Sequence, residues 1–238
     1  MSKKTKLAVA LRPEAQRRPE PSPVPEKGKG KKPVKEQILT GFHTKPLDET
    51  TWPDFARLVE KHNGIWGGCW CMSFHLERGF GSRTALQNRT EKENRVRASQ
   101  AHAALVYDGL AAVGWCQFGP TDELPRIKNK RGYLDGLTNL PDWRITCFFV
   151  DRDYRGKGIA SVALKGTLRE ISRLGGGTVE SYPEDVEGRS VSASFLHNGT
   201  VSMFEREGFK RSRPLGKNHW VVTKVVRKSS RKAPALQQ

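Results

Sequence analysis

The densest chemical signal in the chain is the run Arg155-Gly156-Lys157-Gly158-Ile159-Ala160, set between an apolar stretch, Trp143 to Val150, and a stretch with helical spacing that starts at Ile159. Two glycines at a strand-to-helix turn let the backbone pass through positive φ. The first amide N–H groups of the helix, which lack intrahelical partners, then converge at its positive end. Such a turn is a cradle for a phosphate or pyrophosphate. A GxxxxGK loop followed by Ser or Thr would need an earlier glycine and a hydroxyl after the lysine, and the chain has neither. A GxGxxG or GxGxxA dinucleotide fingerprint would begin at Gly156 and Gly158, with Glu180 as the ribose-binding acid. It would put Ser161 third, late in the chain and without a second nucleotide-binding half.

The elements that must hold this turn are legible from periodicity and punctuation. Ile38 to His43 reads as a short strand, and Glu49 to Lys61 as an amphipathic helix with Trp52, Phe55, Leu58 and Val59 on one side. His62-Asn63-Gly64 stops it, and Ile65 to Leu76 follows, dense in Trp, Cys and Gly. After Gly79-Phe80-Gly81, Ser82 is a candidate cap for a polar helix over Thr84 to Ser99. Ala101 to Tyr107 and Leu110 to Phe118 form a hairpin about Asp108-Gly109. A polar loop, Gly119 to Pro141, leads into the apolar strand Trp143 to Val150, which lacks clean alternation and reads as buried on both faces. The helix Ile159 to Leu174 ends at Gly175-Gly176-Gly177. Thr178 to Tyr182, a helix over Thr200 to Glu207, and strands Phe209 to Arg213 and His219 to Val226 complete an α/β (α+β) order without repeats.

Charge divides the chain. It carries 42 Lys and Arg against 25 Asp and Glu in 238 residues. Eleven of the 17 net positive charges lie within residues 1–36 and 227–238. Residues 1–36 also hold six prolines and too little apolar surface to offset ordering. The expected organisation is therefore a disordered basic tail over 1–36, a folded domain over 37–227 and a second basic tail over 228–238. Leu7 to Leu11 is too short for a secretory apolar region, and no run approaches the ~18 residues of a membrane span. Cysteines 69, 71, 116 and 147 do not resemble a disulfide framework, which fits a cytoplasmic chain.

Val150 to Ala160, read VDRDYRGKGIA, resembles the acetyl-coenzyme A signature of the GNAT superfamily of N-acetyltransferases, with Arg155, Gly158 and Ala160 at its defining positions. A second element agrees with it: Asn198, Val201 and Met203-Phe204-Glu205-Arg206-Glu207-Gly208-Phe209 resemble the family's late helix. The resemblance implies a mixed sheet splayed between its fourth and fifth strands and flanked by helices. It implies acetyl-CoA as co-substrate, held by Phe148, Phe149, Val150, Arg155, Gly156, Lys157, Gly158, Ile159, Ala160, Asn198 and Phe204. An N–H near Phe148 or Phe149 would face the thioester carbonyl. The implied reaction is acetyl transfer to a primary amine of a small molecule or a protein. The alternative is a catalytically weak acetyl-CoA-binding module that docks through its tails.

Such a transfer needs a neutral amine, a stabilised carbonyl oxygen and a proton for the departing thiolate. Phe204 stands where the family often has a proton-donating Tyr, so the donor is left to Tyr182, Ser202, a cysteine or water. Glu180 is the first choice of base, since burial raises a carboxyl's pKa, although an acid paired with a nearby Arg would look the same. Asp142 and His197 follow it. For the acceptor pocket, the resemblance points to the segment after the first helix, where Trp66, Trp70 and Phe74 would supply walls and Cys71 or His75 would face the substrate. The same residues could equally fill a gap between two helices. Cys69, Cys71, His62 and His75 could supply a zinc site on paper, but one residue between the cysteines departs from the usual ligand spacing, so no metal is expected. The charged loop Gly119 to Asp142 could cover the acceptor. The tails would give weak contact with a polyanion, and no membrane partner is expected.

Overall fold

The computed structural model describes residues 41–76 and 80–230. The tail over 1–36, residues 38–40 of the first expected strand and residues 231–238 lie outside them. The described residues belong to one contact unit, Leu39–Gln238.

Among the described residues, seven strands form one sheet in the order β1-β2-β3-β4-β5-β7-β6. They are β1 (Phe42–Pro46), β2 (His102–Asp108), β3 (Ala111–Pro120), β4 (Trp143–Val150), β5 (Gly177–Ser181), β6 (Lys210–Leu215) and β7 (His219–Val226). Every neighbouring pair is antiparallel except β4 and β5. The described residues also form the α-helices α1 (Trp52–Lys61), α2 (Ala85–Arg97), α3 (Lys130–Asp135), α4 (Ile159–Arg173) and α5 (Val201–Arg206). The sheet's two faces carry separate cores. One buries α1, the Trp-Cys segment and Val96 of α2 against Leu105, Trp115 and Phe149. The other buries α4 and α5 against Val106, Cys116, Ile145 and Phe148.

β4 and β5 diverge after three residue pairs, Trp143–Val179, Arg144–Glu180 and Ile145–Ser181. Beyond Ile145, β4 pairs only with β3. There the register shifts between Gln117 and Phe118, so that Thr146 is the extra residue. Asp151 N–H bonds the Val113 carbonyl at 2.9 Å. With Phe149 opposite Trp115 and Cys147 opposite Gln117, the alternation of an antiparallel ladder turns the amides and carbonyls of Phe148 and Val150 to the open side. The sheet is splayed there.

α2 shows why a polar sequence forms a helix here. Thr84 and Gln87 make a reciprocal capping box, so Thr84 and not Ser82 is the cap. Glu91–Arg95, Arg89–Glu93 and Glu93–Arg97 pair along its exposed side. Its buried stripe is Asn88, Lys92 and Val96, at intervals of four. The polar loop expected over 119–141 holds α3, capped by the Asn129 side chain.

A splayed-strand candidate active site

The glycine turn adopts the backbone that its composition requires. Gly156 and Gly158 have φ of +76° and +75°, and Gly158 is the residue preceding α4. Upstream, Asp151 caps the turn Arg152–Tyr154 through Asp153 N–H at 3.1 Å and receives Lys61 Nζ at 2.7 Å. Burial opposes ionisation of Asp151, but the Lys61 and Asp153 hydrogen bonds outweigh it and hold the carboxyl below its usual range. The end of α1 is thereby tied to the approach to the turn.

A cavity of about 450 Å³ runs from this turn along the open edge of β4. Phe148, Phe149, Val150, Arg155, Gly156, Gly158, Ile159 and Ala160 line it, together with Tyr154 and Ser161. A Cβ on Gly156 would meet nothing within 4 Å, so that face of the turn is open to a ligand. Three residues expected here are elsewhere. Lys157 is exposed and lies 4.5 Å above the Tyr154 ring. Phe204 is fully buried, edge-on to Phe148 and Phe209, because the apolar face of α5 closes the core. Asn198 is buried beside a small void shared with Tyr182, and its Oδ1 has no hydrogen-bond partner.

A second cavity, about 400 Å³, shares Trp66 and Ser194 with the first. Phe74, Phe195, Cys69, Cys147 and His197 line it, and Arg126 and Lys128 bring two cations from the loop after β3. His197 Nε2 lies 2.6 Å from Lys128 Nζ, and its ring is edge-on to Trp66. Burial and the Lys128 charge push His197 down to about 4, so its ring is neutral at pH 7. Burial likewise lowers Lys128 from the ordinary lysine value.

The segment between α1 and α2 is a coil of left-handed residues. Asn63, Ile65, Trp66, Trp70 and Cys71 all have φ between 38° and 58°. For non-glycine residues, and above all for a β-branched one, that backbone is costly and is held only by its surroundings. The coil turns Trp66 outward, 48% exposed, and Phe74 toward the cavity, while Trp70, Cys71 and His75 go into the core. The expectation that these three meet the acceptor is therefore corrected. Trp70 packs on Trp52 and Phe55. His75 lies between the Glu123 carbonyl and Lys92 Nζ, 2.9 Å from the latter. Lys92, wholly buried, also donates to Gln117 Oε1 at 2.9 Å, and Gln117 in turn donates to Thr146 at 3.2 Å. Burial drives both His75 and Lys92 toward their neutral forms. Cys71 touches Cys147. Their mutual hydrogen bond, with Lys92 nearby, lowers Cys71 and raises Cys147.

Two of the three expected catalytic groups line neither cavity. Glu180 is 5% exposed and accepts from Tyr133 OH at 2.9 Å and Tyr182 OH at 3.3 Å, with Arg144 donating to Tyr133. A carboxylate that accepts from two phenols is a structural anchor, and Glu180 lines neither cavity. Tyr182, 3% exposed, is pushed well above the ordinary phenol by burial. Asp142 is occupied in capping Thr178 N–H at 2.7 Å. His197 alone of the three lines the cavity. Among the described residues, no cluster of His, Cys, Asp and Glu could hold a metal ion, and no helix is long and apolar enough to cross a membrane.

Arg126, Lys128, Cys147 and Phe195 were not singled out as site residues by sequence. The charged loop Gly119 to Asp142 contained the signal for the first two.

No curated protein matches the chain. Among solved structures, an acetyltransferase from Corynebacterium glutamicum described as histone acetyltransferase HPA2 and related is 12% identical, with a TM-score of 0.45 over 81% of this chain and 99% of that one. The putative acetyltransferase yncA of Salmonella typhimurium, solved with acetyl-CoA, is 14% identical, with a TM-score of 0.45 over 83% and 99%. The Escherichia coli ribosomal-protein-S18-alanine N-acetyltransferase is 9% identical, with a TM-score of 0.41 over 81% and 99%. Similarity at this level says nothing about substrate. The profile of the Acetyltransferase (GNAT) family matches residues 69–181, from the Trp-Cys segment through the glycine turn to β5. Residues 69–181 carry the pattern of the GNAT family of acetyltransferases.

Proposed function

We propose that the protein transfers the acetyl group of acetyl-CoA to a primary amine. The observation that carries this reading is the meeting of the two cavities at Trp66 and Ser194, one cavity ending at the glycine turn and the other at His197. A long donor with an anionic middle fits the first, with its pyrophosphate against the N–H groups of Ile159 and Ala160 and the Arg155 side chain nearby. Its arm would follow the unpaired edge of β4, where the Phe148 amide is free to meet a carbonyl oxygen. The thioester supplies an activated acyl group whose leaving thiolate is tolerable near neutral pH.

The chain's own groups then bind and orient more than they exchange protons. With Glu180 lining neither cavity and His197 a weak base, the amine's proton goes to water in the second cavity. Phe204 has no proton for the thiolate, and Tyr182 is held beneath the core, so that proton also comes from solvent. Delivery of a polyanionic partner by the basic tails would be additional to this site.

The test is calorimetric titration with acetyl-CoA, followed by release of free thiol in the presence of small amines and N-terminal peptides. Saturable binding with amine-dependent thiol release is expected. Absence of acetyl-CoA binding overturns the reading, and binding without transfer to any amine reduces it to a binding module.

A further inference from the structure

The second cavity has a charge character that periodicity and spacing do not reveal. Its described lining includes Arg126 and Lys128, three aromatic rings and a neutral imidazole, and no carboxylate. Arg126 Nη1 is oriented by the Ser73 carbonyl at 3.3 Å, and Lys128 Nζ by His197. The remaining surface is mostly apolar: Phe195 is 64% exposed and Trp66 48%, large values for rings unless something covers them. A site for a cationic acceptor such as a polyamine or a lysine-rich segment would need the opposite lining. Ring faces attract ammonium ions, but two cationic side chains in the same lining repel them more strongly than the quadrupoles attract.

We infer that the acceptor is a small amine that also bears a carboxylate and an apolar or aromatic body, as an aromatic α-amino acid does. The carboxylate would sit toward Lys128 and Arg126, and the apolar body against Trp66, Phe74 and Phe195. The same cations then have a second effect. They disfavour the ammonium form of the bound amine, leaving more of it neutral and nucleophilic. That supplies what Glu180, behind Tyr133 and Tyr182, cannot supply. In the transfer the amine nitrogen bonds to the acetyl carbon, the carbon–sulfur bond of the thioester breaks, and one amine proton goes to water while the thiolate leaves as coenzyme A.

This inference rests on the proposed acetyl transfer, and the test separates the two. Acetyl-CoA binding is measured first by calorimetry, and its absence refutes the transfer reading itself. With acetyl-CoA bound, initial rates are compared for phenylalanine, for phenethylamine, which lacks only the carboxylate, and for spermidine. We expect kcat/KM for phenylalanine to exceed that for phenethylamine by at least roughly tenfold, as expected for a unit charge facing a partly screened cation, and spermidine to be the poorest. In Lys128→Glu the preference should invert, while acetyl-CoA affinity stays within about twofold. Lys128 lies in the loop between β3 and α3, outside any strand or helix, so folding should survive the change, and Lys128→Gln should give an intermediate ratio. Equal or better turnover of phenethylamine or spermidine by the wild type overturns the inference. So does absence of turnover of phenylalanine, or a ratio unmoved in Lys128→Glu.

Discussion

Replacing Gly158 by Ala tests the cradle where it is most exposed to failure. Gly158 sits at φ +75° and ψ +11°, immediately before the first residue of α4. An L-residue there costs about 1 kcal/mol in backbone strain. In a domain of this size that loss lowers Tm by roughly 2–4 °C. The chain relieves strain by rotating φ, and the N–H groups of Ile159 and Ala160 turn with it. Losing one charge-assisted hydrogen bond costs about 1.5–3 kcal/mol, so acetyl-CoA affinity should fall by roughly 10- to 100-fold. Gly188→Ala is the matched control. It has φ of +67°, nothing lies within 4 Å of an added Cβ, and the position lines neither cavity. Calorimetric titration with acetyl-CoA and thermal unfolding of both variants separate strain from binding. Equal losses of Tm with only Gly158→Ala losing affinity is the expected pattern. Wild-type affinity in a Gly158→Ala protein that shows the strain would refute the assignment of this turn to the donor.

Gly114→Ala should destabilise by about 1–3 kcal/mol in thermal unfolding, because its Cβ would lie 2.8 Å from Ile159 Cγ2 and 2.8 Å from the rigid Phe149 carbonyl; an unchanged Tm would show that β3 and α4 have slack. Glu180→Leu leaves both tyrosine hydroxyls without their acceptor, so Tm should fall, by about 1–3 kcal/mol in stability, with kcat little changed. A hundredfold loss of kcat at unchanged Tm would instead make Glu180 the base. His197 binds a proton less readily folded, at about 4, than unfolded, at 6.5, so the unfolded chain holds more protons between these values and stability falls as pH drops through that window. His197→Gln should flatten that part of the Tm-against-pH curve, and an unaltered slope would contradict the depressed value.

The donor side of the site was legible because its determinants are local. Arg155-Gly156-Lys157-Gly158 states its backbone by having glycine where φ is positive, and Trp143 to Val150 states a strand buried on both faces by its unbroken apolar run. Both occupy the expected residues. The capping of α2 was misplaced by two residues, because Ser82 and Thr84 have the same chemistry and only the Thr84–Gln87 reciprocity selects one. The acceptor side was not legible in this way. Trp66 and Trp70 are four residues apart and alike in type, yet one rims a cavity and the other fills the core.

By itself the sequence determined the order of strands and of every helix but α3, the anion-binding turn and the concentration of positive charge at both ends, since each follows from residue type and short spacing. Tertiary structure decided everything that depends on which surfaces meet. It put Glu180 beneath two tyrosines contributed from α3 and from the residue after β5. It brought Lys128 against His197 across 69 residues. It also coiled Asn63 to Cys71 through left-handed φ, so that no helical or strand period could predict which side chains face out. The physical reason is that burial and charge proximity are properties of packed surfaces, and a pattern of period 2 or 3.6 specifies only one face of one element at a time.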